Sequence, residues 1–127
     1  LFMTAAVSDF KPLKPASSKI KKDKRVLRLS MVENLDVLKS LRKYKKRKIY
    51  VGLSLESEKL YKRSVRKLKE KGLDLIVAQK VSRKVRPFGP VAMNALVIDR
   101  TGMTCRFTQI SKQHLAQYLI KRICDSR

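Results

Sequence analysis

Glycine and cysteine are scarce in this sequence, and acidic residues are outnumbered by basic ones 10 to 32. The four glycines are scattered, so no glycine-rich loop of the kind that cradles phosphates is present. Cys105 and Cys124 match no metal-ligand or redox spacing, which reads as two reduced thiols in a cytoplasmic protein. His114 is the single histidine, and no zinc pattern surrounds it. No apolar run approaches the length of a membrane span. Residues 1–7 are apolar, but no basic segment precedes them and they are too short for the core of a signal peptide. Internal repeats, helix-turn-helix and RNA-recognition patterns are absent as well.

Positive charge is what the chain has in excess. A net charge of +22 over 127 residues implies a polyanionic partner: nucleotide phosphates, a nucleic acid or an acidic lipid surface. The apolar fraction of 43% argues against disorder, and the length suits one domain, residues 1–127, with a real core. The first residue is Leu, inside what reads as a strand, so further sequence is expected before it.

Residues 48–78 organise the rest. Residues 49–53 and 73–78 are short apolar runs rich in β-branched residues and read as buried strands. Between them Leu60, Tyr61, Ser64, Val65 and Leu68 share one helical face. Ser57 is the expected N-cap, with Glu56 and Glu58 at the positive end of the helix dipole. Gly72 supplies a left-handed residue past the C-terminus, with Leu68 and Leu73 placed for the apolar contact of a Schellman cap. Strand, helix and strand with short connections predict a right-handed βαβ unit and a parallel sheet.

The flanks extend this unit. Residues 1–7 read as a further strand whose small residues, Thr4, Ala5 and Ala6, would let a ligand approach the backbone at its carboxyl end. Asp9 follows in the loop there, where a solvated turn residue is the plainer reading. Residues 11–24, with Pro12, Pro15 and Ser17-Ser18, read as a mobile loop carrying the Lys19-Ile-Lys-Lys cluster. That loop is able to close over a phosphate, or is simply solvated. Residues 25–32 alternate and suit an edge strand. Asn34 is the expected cap of a helix with Leu35, Val37, Leu38 and Leu41 as its stripe. Residues 42–48 are almost wholly basic around Tyr44, which fits either a nucleic-acid patch or a solvated helix end. Lys67 and Lys71, one turn apart, are able to hold adjacent phosphate oxygens or to lie on an ordinary solvated face. After a basic loop at 79–90, residues 95–99 and 103–108 predict an antiparallel hairpin. Ser111 then caps a last helix with Leu115, Leu119, Ile120 and Ile123 as its stripe, and His114 in its first turn.

In order along the chain, several segments resemble the C-terminal portion of bacterial phosphopantothenate–cysteine ligase. Ala5-Ala-Val-Ser-Asp-Phe10 is similar to the family's AAVSDF strand end, and Lys19-Ile-Lys-Lys22 to its KIKK segment. Asn34-Leu-Asp-Val37 resembles NPDI, and Val51-Gly-Leu-Ser-Leu-Glu56 resembles VGFAAET. Residues 66–78 are the nearest match, and residues 110–123 resemble the closing helix. Leu53 stands where the family usually has Phe, Leu35 where it has Pro, and Gln79-Lys80 where it has Asn-Asp. After Phe88-Gly, this chain lacks the family's polar Ser-Asp-x-x-Asn pattern.

The resemblance implies an α/β fold: a Rossmann-like three-layer sandwich with a mainly parallel sheet and a C-terminal hairpin plus helix. It implies that the family's first strands are missing here. The implied reaction joins cysteine to 4′-phosphopantothenate through an acyl-cytidylate made from CTP. It assigns Ala5, Asp9, Asn34, Asp36, Val37, Lys67 and Lys71 to the nucleotide, and Lys19 to a catalytic flap. Mg2+ would accompany CTP, with no ligating residue named, and FMN is implied only where a decarboxylase domain is attached upstream. The implied partners are CTP, 4′-phosphopantothenate, cysteine and a second copy, paired through residues 25–32 or the hairpin at 95–108. No membrane association is expected, and nucleic acid is expected to bind only non-specifically. A basic nucleic-acid-binding domain and a diverged, inactive ligase homologue are the alternative readings.

Overall fold

The computed structural model describes residues 1–22, 26–82, 89 and 91–125. Its centre is a five-stranded sheet in the order β1 (Phe2–Met3), β4 (Val51–Glu56), β5 (Leu75–Lys80), β6 (Met93–Asp99) and β7 (Thr104–Ile110). Pairing is parallel from β1 to β4 to β5, with Phe2 opposite Val51 and Val51 opposite Leu75. β6 pairs antiparallel with both neighbours, so it alone runs against the other four.

Alternation along β5 explains the three layers. Ile76 and Ala78 face a core with Leu38 of α1 (Val37–Leu41) and Leu68 of α2 (Leu60–Glu70). Leu75 and Val77 face the opposite core, with Leu115 and Leu119 of α3 (Lys112–Cys124). The sandwich expected from the sequence is therefore present, with its sheet parallel at one side and closed by the hairpin at the other.

Several local features follow the sequence closely. Past α2, the Leu73 N–H donates to the Leu68 carbonyl (2.9 Å) and the Gly72 N–H to the Lys69 carbonyl (3.2 Å). These are the two bonds of a Schellman cap, and Gly72 takes the positive φ of 62° that the cap requires. Ser111 caps α3, accepting from the His114 N–H at 3.1 Å. The hairpin turn is tied by Asp99, whose carboxylate accepts from the backbone N–H of Thr101 and of Met103.

Other expectations are corrected. The strand at 1–7 is ladder-bonded only over Phe2–Met3. The loop at 11–24 begins as a strand, β2 (Phe10–Pro12), paired antiparallel with β3 (Met31–Glu33) in a separate two-stranded sheet. The edge strand expected at 25–32 shrinks to β3; Arg25 lies outside the described residues, and Val26, Leu27 and Leu29 are exposed. Asp36, not Asn34, caps α1, its carboxylate accepting from the Lys39 N–H at 3.0 Å, and Leu35 is exposed. Ser57 does not cap α2; Lys59 occupies that position at φ 47° with no side-chain bond. Ile120, expected in the α3 stripe, is exposed. Residues 83–88 and Pro90 of the basic loop lie outside the described residues.

Candidate active-site cleft at the carboxyl ends of the parallel strands

β4 inverts the pattern its sequence suggests. Leu53 and Leu55 are about half exposed, whereas Ser54 and Glu56 are 3% and 4% exposed. The inversion arises because α2 covers the Ser54–Glu56 side. The Lys67 ammonium reaches the Glu56 carboxylate at 2.7 Å and the Ser54 hydroxyl at 3.2 Å, and the Ser54 hydroxyl itself donates to Glu56 at 2.7 Å. Arg63 lies 3.6 Å from the other carboxylate oxygen. Burial alone would raise the Glu56 pKa, but the bonds from Lys67 and Ser54 reverse the sign and hold it below the ordinary glutamate value.

One turn further along α2, the Lys71 ammonium meets the Asp36 carboxylate at 3.0 Å. Burial pushes Asp36 upward too; the Lys39 N–H and Lys71 outweigh it and leave this carboxyl below the usual aspartate range. Asp36 therefore has two tasks, capping α1 and pinning Lys71 beside it. Asn34 fixes the neighbouring loop: its amide donates to the Ser8 carbonyl at 3.1 Å, and its backbone N–H donates to the Asp9 carbonyl at 2.7 Å.

These segments enclose a cleft of about 560 Å3 outside the carboxyl ends of β1 and β4. Ala5, Asp9, Asn34, Asp36, Val37 and Lys71 all line it, so six residues assigned from the sequence, spread over sixty-six positions, share one cavity. Lys67 and Lys19 are not in its lining. Lys67 turns to Glu56, and Lys19 lies exposed in the connection between β2 and β3. Leu53 lines the cleft as well. Glu56 was missed by sequence reasoning, which placed it on the helix dipole. Its signal was a carboxylate at an alternate position of a strand, facing the same side as Gly52 and Ser54.

An open α/β sheet with its cleft outside the ends of parallel strands defines a Rossmann-like α/β domain. The chain belongs to the DNA/pantothenate metabolism flavoprotein C-terminal domain family, whose pattern matches residues 1–126. It is 38% identical over 120 residues to the coenzyme A biosynthesis bifunctional protein CoaBC of Bacillus subtilis (strain 168), covering 94% of this chain and 30% of that protein. It is 30% identical over 122 residues to a cysteine/cysteine sulfinic acid decarboxylase of an unknown prokaryotic organism, covering 95% of this chain and 34% of that one. The chain thus spans about a third of the length of these curated relatives. The crystal structure of the C-terminal domain of a CoaBC superposes with a TM-score of 0.69 at 20% identity, over 94% of this chain and 50% of that one. That likeness establishes the fold.

Among the described residues, no helix is long and apolar enough to cross a membrane. Both cysteines are free thiols.

Proposed function

We propose that this chain is the C-terminal part of a ligase domain in coenzyme A biosynthesis, joining cysteine to 4′-phosphopantothenate with CTP. The observation that carries the reading is the convergence of Ala5, Asp9, Asn34, Asp36, Val37 and Lys71 on one cleft. In the first step the substrate carboxylate attacks the α-phosphorus of CTP, and the α–β phosphoanhydride bond breaks to release pyrophosphate. In the second step the cysteine amine attacks the acyl carbon, CMP departs, and the amine proton is lost to solvent.

The chain's residues suit the demands of the first step. Charge builds on phosphate oxygens there, and preorganised cations lower its energy. Lys71 is held at the cleft by Asp36 and is ready to exchange part of that contact for phosphate. Lys67 is one turn away, and its bond to Glu56 keeps it extended toward the strand ends. Ala5 offers backbone with only a methyl group beside it, and Asn34 holds the Ser8–Asp9 loop in register. Lys19 sits on the connection between β2 and β3, suited to act as a flap that shields an acyl-cytidylate from hydrolysis. Among the described residues, no group of three or more His, Cys, Asp or Glu side chains converges to cage a metal. Mg2+ would accordingly ride on the nucleotide phosphates, with at most one or two carboxylates from the chain. The exposed apolar residues Val26, Leu27, Leu29 and Met31 support pairing of two copies through this arm, which light scattering at micromolar concentration tests.

The test measures CTP affinity and product formation in the full-length protein with magnesium and phosphopantothenate. Lys71→Gln is expected to weaken CTP binding by about 1–3 kcal/mol, as loss of a charge-assisted contact does. Lys67→Gln should lose less, because Lys67 is outside the cleft lining and its ammonium is turned to the buried Glu56. Lys62→Gln and Lys69→Gln, on exposed parts of α2, should stay within about 0–1 kcal/mol. Lys19→Gln should leave CTP binding intact and slow amide formation, so that acyl-cytidylate accumulates. Equal CTP affinities across the four α2 variants would refute the assignment of the site.

A further inference from the structure

A second cavity, of about 610 Å3, lies at the amino end of the parallel strands, the opposite end of the sheet from the cleft. Three segments remote in sequence build it: the basic run Lys45, Lys46, Arg47 and Lys48 ahead of β4, Arg100 in the hairpin turn, and Arg122 near the end of α3. Among the described residues those six cations face two acids, Asp74 and Asp99, leaving an excess of four positive charges around one concavity.

Both acids are engaged within the fold. Asp74 accepts from the Tyr50 N–H at 2.8 Å and pairs with Lys45 at 2.8 Å, with Arg100 at 3.7 Å. Asp99 ties the hairpin turn and pairs with Arg122 at 3.1 Å. The carboxylates therefore set Lys45, Arg100 and Arg122 in position as walls, without cancelling the charge of the whole. Lys46 and Arg47 are exposed and make no ion pair among the described residues. Lys46 has a φ of 44°, a conformation disfavoured for a residue with a side chain, and the Lys48 N–H closes the turn on the Lys45 carbonyl at 2.8 Å. A basic run held in a costly turn at the rim of a cavity is more than a solvated helix end.

We propose that this cavity binds a compact oligophosphate, two or three adjacent phosphate groups carried by free polyphosphate or by the tail of a nucleotide. Its volume falls within the roughly 300–1,000 Å3 of small-ligand pockets. Among the described residues no aromatic side chain lines it, so they offer no platform on which the bases of a nucleic-acid strand would stack. Densely charged adjacent phosphates match several cations on one concave wall better than a spaced phosphodiester backbone does.

The test is titration calorimetry of the full-length protein with tripolyphosphate at low salt, repeated with ATP and with a twelve-residue oligothymidylate. Arg47→Gln and Arg100→Gln are each expected to lower tripolyphosphate affinity about tenfold. Lys11→Gln and Lys14→Gln, which remove the same charge at residues that do not line the cavity, should change it less than about twofold. Both arginine variants should keep wild-type CTP affinity at the cleft, whereas Lys71→Gln should do the reverse, so this site and the proposed ligase site fail or stand separately. Equal affinity for ATP and tripolyphosphate would assign recognition to the phosphates alone, and tighter ATP binding would assign it to a nucleotide tail. Equal losses in all four charge variants would reduce the effect to net charge and overturn the proposal. So would the absence of any tripolyphosphate binding beyond that removed by Lys71→Gln. Oligothymidylate binding tighter than tripolyphosphate and abolished by the same arginine variants would overturn the compact ligand in favour of a nucleic-acid backbone.

Discussion

The Glu56–Lys67 pair makes a prediction that separates structure from surface charge. At 2.7 Å the gross attraction is about 6 kcal/mol at an effective dielectric of about 20. Against it stands the desolvation of a carboxylate whose side chain is 5% exposed, a penalty of several kcal/mol. The Lys67 side chain is 35% exposed, so water screens part of the attraction. Removing one member of a fully buried pair costs about 3–5 kcal/mol. Here Ser54 and Arg63 still compensate Glu56, and Lys67→Gln is expected to cost about 1–3 kcal/mol. Glu56→Gln keeps the shape and should cost about 1–2 kcal/mol, and the double variant should cost less than the sum by about 1 kcal/mol. The pH dependence has a fixed sign. The Glu56 pKa is lowered in the folded state, so its contribution is full above the ordinary glutamate range, about 4.3, and is lost as pH falls through the lowered value. Urea unfolding followed by circular dichroism, at neutral pH and at stepwise lower pH, measures all of this. Additive single-variant losses, or a wild-type advantage over Glu56→Gln that ignores pH, would refute the reasoning.

Three further outcomes are expected. Gly72→Ala should destabilise by about 1–2 kcal/mol. Its Cβ would sit at φ 62° and meet the Arg42 side chain at 3.1 Å, so an unchanged urea midpoint would contradict the Schellman cap. Ser64→Ala should be neutral or stabilising by about 1 kcal/mol, since the Ser64 hydroxyl, buried in α2, has no hydrogen-bond partner among the described residues and the alanine removes that cost. A loss above that size would mean the hydroxyl is satisfied in solution. Duplex DNA should bind weakly and release steeply as salt rises, because counterion release is the main driving term for a chain of charge +22. Salt-resistant, sequence-selective binding measured by fluorescence anisotropy would restore the nucleic-acid reading.

The boundary between what was legible in the sequence and what was not follows the range of the interactions. The Schellman cap at Gly72 and the N-cap at Ser111 each depend on a few neighbouring residues, and both are read directly from spacing. So is the hairpin around Gly102, whose turn is closed within five residues by Asp99. The start of α1 was misread because Asn34 and Asp36 are equally good caps locally, and a distant cation separates them. Asp36 caps the helix with Lys71 beside it, while Asn34 turns back to Ser8, twenty-six residues away. Glu56 fails the same way: alternation in β4 favours burying Leu53 and Leu55, yet Lys67, Arg63 and Ser54 make the carboxylate side the buried one. Two leucines are left about half exposed on the α3 side of the sheet, beside Phe2 and Ile120. A pattern of apolar residues states which positions prefer burial, and it does not state which of two faces a helix will cover. The cleft shows the same limit from the other direction. Its residues were assembled by resemblance over the whole chain, and periodicity alone left Asp9 a turn residue and Lys71 a solvated one. Charge pairs formed across 11 to 35 positions, such as Lys67 to Glu56 and Lys71 to Asp36, decide where those side chains point.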